Sequence, residues 1–257
     1  MSKDIKCTGP CRSRRQLLVT IGGVTVGALA LGSGFLWLRG PGKKSAYELG
    51  QNVIVKYQKL SRPKMEELLG ANNYQRCCTA MLSEYGEFAD SLPTIKGKRN
   101  KATFYANAPF MLALYRTLLD EFTLPQDRAL DILNQITCFK VRKDWENRTI
   151  TRFIMARAAE IEFFRKLTLK GFEWGDEEEY GWAAEFPESD AYIAVNMNRC
   201  GLVKWFSQQG VPEIAPIACN GDFVWVEFMT GLELKRTQTL AQGDPICDFR
   251  YVKKQVQ

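Results

Sequence analysis

Two periodicities divide this chain, and their order constrains the fold more than any other feature. Up to about Lys170, apolar residues recur every three or four positions, the spacing of one helix face. Val53, Ile54, Tyr57 and Leu60 form one stripe. Met65, Leu68 and Leu69 begin a second segment, continued by Cys77, Met81 and Tyr85. Met111, Leu114, Leu118 and Phe122 keep the period after Pro109, a residue suited to a first helical turn. Thr123-Leu-Pro-Gln-Asp127 opens the next helix, with Leu130, Leu133 and Ile136, and a longer helix is expected from about Glu146 to Lys170. Beyond Gly171 the pattern changes. Trp182, Ala184 and Phe186 alternate, Ala191 to Met197 runs on as a strand, and a short helix carries Cys200, Val203 and Phe206. Helices first and hairpin-joined strands last predict an α+β fold, a helical layer packed on a C-terminal antiparallel sheet.

The last hairpin carries the most informative side chains. Leu232, Leu234 and Leu240 alternate with polar residues, Gln242-Gly-Asp-Pro245 turns, and Ile246 to Val252 alternates again. Arg236 shares the face of the three leucines, and Cys247 that of Phe249 and Tyr251. A cation aimed at apolar surroundings needs a partner, because an unpaired buried charge is costly. Two registers are open. If Leu240 pairs with Ile246, Arg236 joins Asp248 and Arg250, and Cys247 points the other way. If a bulge pairs Leu240 with Cys247, Arg236 and Cys247 share one face, and Asp222 is expected beside them in one cavity. The Gly-Asp-Pro turn favours the second.

These residues also resemble a known family. Arg236-Thr-Gln-Thr-Leu240, Gly243-Asp244 and Cys247-Asp-Phe-Arg250 are similar to the C-terminal signature of the L-2-amino-thiazoline-4-carboxylic acid hydrolases. Upstream, Arg199-Cys200, Gly210-Val-Pro-Glu-Ile214 and Cys219-Asn-Gly-Asp222 follow in the same order. The resemblance covers roughly the last sixty residues. It implies a hydrolase-like fold and, as a substrate class, a small cyclic amidine or amide opened at a C–N bond; family alone does not fix the substrate.

Composition narrows the chemistry. The 257 residues include no histidine, which excludes histidine triads, histidine bases and histidine metal ligands. The net charge of +6 is concentrated at the N-terminus, where Lys3, Lys6, Arg12, Arg14 and Arg15 precede an apolar run and Arg39, Lys43 and Lys44 follow it. That placement marks membrane flanks and not a nucleic-acid surface. The run Leu17 to Leu38 has no charged residue and is long enough to span a bilayer of about 30 Å. Ser13-Arg-Arg-Gln-Leu-Leu18 before it resembles a twin-arginine export signal. Residues 1–44 are therefore expected to be an export signal or single-pass anchor with its linker. Residues 45–257 would form one domain on the extracytoplasmic side, with the N-terminus in the cytoplasm.

For chemistry, hydrolysis of an aminothiazoline carboxylate needs an anion for the amidinium, a cation for the carboxylate and an activated nucleophile. Asp222 or Asp248 would supply the first, and Arg236 or Arg250 the second. A thiolate of Cys219 or Cys247, its pKa lowered by neighbouring arginine, would attack, with Asp222 or Asp244 moving the proton. Cys200, Cys219 and Cys247 with Asp222 also make a weak zinc set, although no C-x2-C spacing supports it; no other cofactor is expected. Each residue has a plainer reading as well. Arg236 would pair with Asp248 or Asp244, and Cys247 would be a small core residue. Two functions therefore stand side by side: a membrane-anchored or exported hydrolase, and a non-catalytic ligand-binding or accessory subunit of a membrane complex.

Overall fold

The computed structural model describes residues 45–149, 152–153, 156–157, 162–172 and 178–254. The apolar run of residues 17–38, with the export signal, anchor and orientation expected of it, lies outside them. Among the described residues no helix is long and apolar enough to cross a membrane.

Helices α1 (Ala46–Leu69), α2 (Ala71–Phe88), α3 (Lys98–Tyr105), α4 (Ala108–Asp120), α5 (Gln126–Glu146) and α6 (Glu162–Phe172) come first; the helical period predicts all but α3, whose first residues read as the end of a basic loop. Ser45 starts α1 through a capping box: its hydroxyl accepts the Glu48 N–H, and the Glu48 carboxylate accepts the Ser45 N–H. The expected break before Met65 is absent, and α1 continues through Pro63 to Leu69. Pro63 and Lys59, whose carbonyl loses its helical partner, are both exposed, so water replaces the missing bond. The chain turns instead at Gly70, where φ is +88°. Helix α4 lies deepest, with Phe110, Met111, Leu112 and Leu114 fully buried. The long helix expected from about Glu146 to Lys170 is partly met: α5 stops at Glu146, Thr149, Arg152 and Phe153 are helical, and α6 covers Glu162–Phe172.

Strands β1 (Ala183–Glu185), β2 (Ile193–Arg199), β3 (Leu232–Lys235) and β4 (Cys247–Lys253) form one sheet in the order β1-β2-β4-β3, each pair antiparallel. The α+β expectation holds for these residues. In the centre, Ile193 pairs with Tyr251, Val195 with Phe249 and Met197 with Cys247, which puts these side chains on one buried face. Two helices separate β2 from β3. Helix α7 (Gly201–Gln208) was legible from its stripe. Helix α8 (Ala215–Val226) was not, because Cys219-Asn-Gly-Asp222 reads as a turn and apolar residues surround the helix without a clear face. It packs along α5, and a β-carbon at Gly221 would stand 3.3 Å from Val141 Cγ2. That glycine lets the two helices approach closely.

The last hairpin departs from expectation. β3 stops at Lys235, paired with Arg250, instead of continuing to Leu240. Residues 236–246 form a loop containing a short 3-10 turn, Leu240–Gln242, closed by Gly243 at φ +91°. Local side-chain bonds outcompete the ladder here. The Asp248 carboxylate accepts the N–H groups of Thr237 and Gln238 and the Thr237 hydroxyl, and Asp244 accepts the Thr239 N–H. Neither expected register of Leu240 therefore forms. Its N–H donates to Cys247 Sγ at 3.2 Å.

Candidate functional site

A cavity of about 230 Å³ lies between the helical layer and the sheet. Tyr57 of α1, Lys140 of α5, Cys219 and Asp222 of α8, and Cys247 and Phe249 of β4 contribute to its walls. The alternation of β4 sorts the sequence candidates. Cys247, Phe249 and Tyr251 are buried on the cavity side, whereas Asp248 and Arg250 occupy the opposite face. Arg250 donates to the Val195 carbonyl and to Asn196 Oδ1 at 2.8 Å, and Asp248 is consumed in holding the loop. The structure thus does not bring Asp248 or Arg250 to the cavity, and the substrate contacts expected of them have no geometric basis. Both side chains have structural partners.

Asp222 and Arg236 do meet. Arg236 Nη1 donates to Asp222 Oδ2 at 2.9 Å and to the Cys219 carbonyl at 3.3 Å. The guanidinium is sandwiched by the rings of Phe223 and Phe249, 4.9 and 5.4 Å from their centroids. Arg236 is not among the residues lining the larger cavity; it borders a smaller recess of about 210 Å³ behind Cys219. A substrate carboxylate in the larger cavity would therefore meet Asp222 and not Arg236. Arg236 acts as the counter-charge that orients Asp222.

Asp222 keeps 30% of its side-chain surface accessible. It lines the cavity among apolar side chains. Burial accordingly pushes its carboxyl up to about 6, against the opposing pull of Arg236 and of a hydrogen bond from Trp225. A carboxylate titrating there is poised to take and return protons near neutral pH.

The thiols behave otherwise. The expectation that a neighbouring arginine activates Cys219 is corrected: burial raises its pKa far above the ordinary thiol value, Asp222 adds to the rise, and Arg236 offsets little of it. Cys200, at the start of α7, is likewise pushed up to about 11 by burial. Both are protonated at neutral pH. Cys247 Sγ takes the Leu240 N–H and donates to the Thr239 hydroxyl at 3.5 Å, a hydroxyl that also contacts Cys219 Sγ at 3.7 Å. Cys200, Cys219, Cys247 and Asp222 all line the cavity. Among the described residues, however, no three metal-ligating side chains come together closely enough to hold an ion. The zinc set of the sequence is not assembled.

Two charged lining residues, Lys140 and Asp144, escaped the sequence reading. Lys140 is 2% exposed and continues the stripe of Ala129, Leu133 and Ile136 along α5. A lysine four residues after Ile136, on the face meant for the core, was the available signal.

The comparisons bear on this site directly. No curated protein and no solved structure matches the chain. A family model described as L-2-amino-thiazoline-4-carboxylic acid hydrolase matches residues 103–251, more than half of the sequence, from the helical wall at Thr103 to Tyr251 of β4. With that span enclosing Lys140, Asp222, Arg236 and Cys247, the chain belongs to the L-2-amino-thiazoline-4-carboxylic acid hydrolase family.

Proposed function

We propose that this protein hydrolyses a small cyclic amidine of the aminothiazoline carboxylate type, with Asp222 as the general base that activates water. The observation that carries the reading is Asp222 itself: a carboxylate facing a cavity, held by Arg236 and raised to about 6 by burial. In the ionised form it takes a proton from water as the oxygen adds to the amidine carbon. Collapse of the adduct breaks a ring bond to that carbon, and the proton on Asp222 passes to the leaving ring atom. No thiolate is required, which suits a site where burial keeps the Cys219 thiol protonated.

Incubating the purified chain with L-2-amino-thiazoline-4-carboxylate and following the product by mass spectrometry tests the reading. Ring opening adds the mass of one water; a free thiol in the product marks cleavage of the C–S bond, and a free amine marks the C–N bond. The water route leaves no adduct on the protein after acid quench, whereas attack by Cys247 would leave one. Intact substrate after prolonged incubation would support the accessory-subunit reading instead.

Cys219→Ala should leave kcat within a few-fold of wild type, because the residue walls the cavity without reacting. Removing a catalytic nucleophile costs on the order of 10⁶-fold, so a loss approaching that size would restore Cys219 as the attacking group.

Membrane attachment through residues 17–38 belongs to the same proposal, supported by the uncharged run and its five preceding basic residues, Lys3, Lys6, Arg12, Arg14 and Arg15. A reporter fused after Leu38 should be active only on the extracytoplasmic side. Activity confined to the cytoplasm would refute that orientation.

A further inference from the structure

A buried cation without a counter-ion is an uncommon wall for a cavity. Lys140 Nζ donates to the Ala106 carbonyl at 3.3 Å and to Asn107 Oδ1 at 3.1 Å. It also stands 4.6 Å from the centroid of Tyr57 and 5.5 Å from that of Phe110. Neutral acceptors and ring faces compensate an ammonium only in part. The nearest acidic neighbour on its helix, Asp144, is engaged elsewhere, with Lys56 at 3.2 Å and Arg148 at 2.6 Å. Among the described residues no carboxylate forms an ion pair with Lys140. Burial lowers its pKa to about 8, so the side chain still carries its charge at neutral pH. The protein keeps an unpaired charge at a desolvated position, and that position borders the cavity beside Thr103 and Asn107.

The charged residues lining the cavity are Lys140 and Asp144 on α5 and Asp222 on α8; Asp144 is neutralised by Lys56 and Arg148, which leaves Lys140 and Asp222. Lys140 is surrounded by α1, α4 and the turn before α4, whereas Asp222 on α8 is backed by Arg236 at the end of β3. A buried cation on one element and a carboxylate on another, lining one cavity, match a ligand that carries both an anionic and a cationic group. Arg236 pairs with Asp222 through Nη1 and borders the recess and not the cavity, which leaves the anion-binding role in the cavity open.

We propose that Lys140 binds the carboxylate of the substrate, so that the cavity selects small rings bearing both a carboxylate and an amidine, the amidine carbon lying toward Asp222. The identity of the ring rests on the hydrolase reading above; the preference for a carboxylate does not. Lys140 is then a specificity-determining residue, and its loss is felt only by ligands that carry the anion.

The test compares two probes, L-2-amino-thiazoline-4-carboxylate and 2-amino-2-thiazoline, the same ring without the carboxylate. Binding to the full chain is measured by calorimetry, and ring opening by product analysis. Wild type should prefer the carboxylate ring by about 10- to 100-fold in Kd, the scale of a hydrogen-bonded charge contact. In Lys140→Met the ratio should fall to about 1. Methionine has a similar length and removes a buried charge, so the fold should persist; Lys140→Gln provides a second neutral variant should Met prove insoluble. A preference retained in either neutral variant overturns the proposal. Ring opening by wild type with no preference between the probes overturns it too, but leaves the hydrolase reading standing. A Lys140-dependent preference without any ring opening upholds the proposal and removes the hydrolase. Failure of both probes to bind overturns both.

Discussion

Asp222→Asn should lower kcat for ring opening by about 10²- to 10⁴-fold, the usual contribution of a positioned general base. The substitution is nearly isosteric. The amide oxygen can still accept from Arg236 and from Trp225, both of which bond the carboxylate in the native protein. What disappears is the ability to accept a proton from water. The loss should therefore fall on kcat, with Kd for the substrate changed far less. Uncharging one side of the pair should lower stability in thermal denaturation whatever the role, so turnover decides: a structural role alone would leave the properly folded fraction at the wild-type rate. Asp222→Asn with kcat within a few-fold of wild type would remove the carboxylate from the mechanism.

Arg236→Gln should have the second-largest effect, visible in two independent measurements. The first is stability. The Arg236 side chain keeps only 7% of its surface accessible and pairs with Asp222, which keeps 30%. Breaking such a pair from one side leaves a desolvated charge, at a cost of about 3–5 kcal/mol. The second is the pH profile. Arg236 opposes the upward push of burial on Asp222, so removing its charge lets the Asp222 pKa rise above about 6. Because the base acts in its ionised form, the acid limb of kcat/KM should move to higher pH, and activity at pH 6 should fall more than activity at pH 8. Arg236→Lys should show an intermediate shift, since a compact ammonium keeps the charge but loses the planar guanidinium that lies against Phe223 and Phe249. An unshifted limb in Arg236→Gln would mean that the titrating group is not Asp222.

The residues show why some of this was legible in the sequence and some was not. The helical layer and the sheet were, because period 3.6 and period 2 each repeat over several turns or residues, and a small error in a boundary does not change the class. The break expected before Met65 does not occur, because Pro63 and Lys59 are exposed and the helix runs on through the proline to Leu69. Helix α8 was hidden by Asn220 and Gly221, turn formers tolerated here because Gly221 faces Val141 of α5 at a close helix crossing. The end of β3 was set by Asp248 and Asp244, whose carboxylates satisfy loop N–H groups that a longer strand would have paired.

At the site, the need of Arg236 for a carboxylate was within reach, because a charge on an apolar strand face demands a partner; that partner is Asp222 and neither Asp248 nor Asp244, and the one cavity expected to hold Arg236 with Cys247 does not form. The activated thiol was not sound. Sequence places an arginine near Cys219 but cannot weigh its field against desolvation, and desolvation wins. Lys140 was missed because one cation in an apolar stripe is easily taken for a stripe edge, and only the packing of Tyr57 and Phe110 around it shows that it is enclosed.

The dependence of kcat/KM on pH, measured for the wild-type protein with L-2-amino-thiazoline-4-carboxylate, tests the central claim most directly. Asp222 is the base in its ionised form and titrates at about 6. The rate should therefore rise with pH through an acid limb centred near 6 and level off above it, and the limb should be absent from the residual activity of Asp222→Asn. A wild-type limb lying at the ordinary carboxylate value near 4, or a limb near 6 that survives in Asp222→Asn, would contradict the assignment of Asp222 as the base.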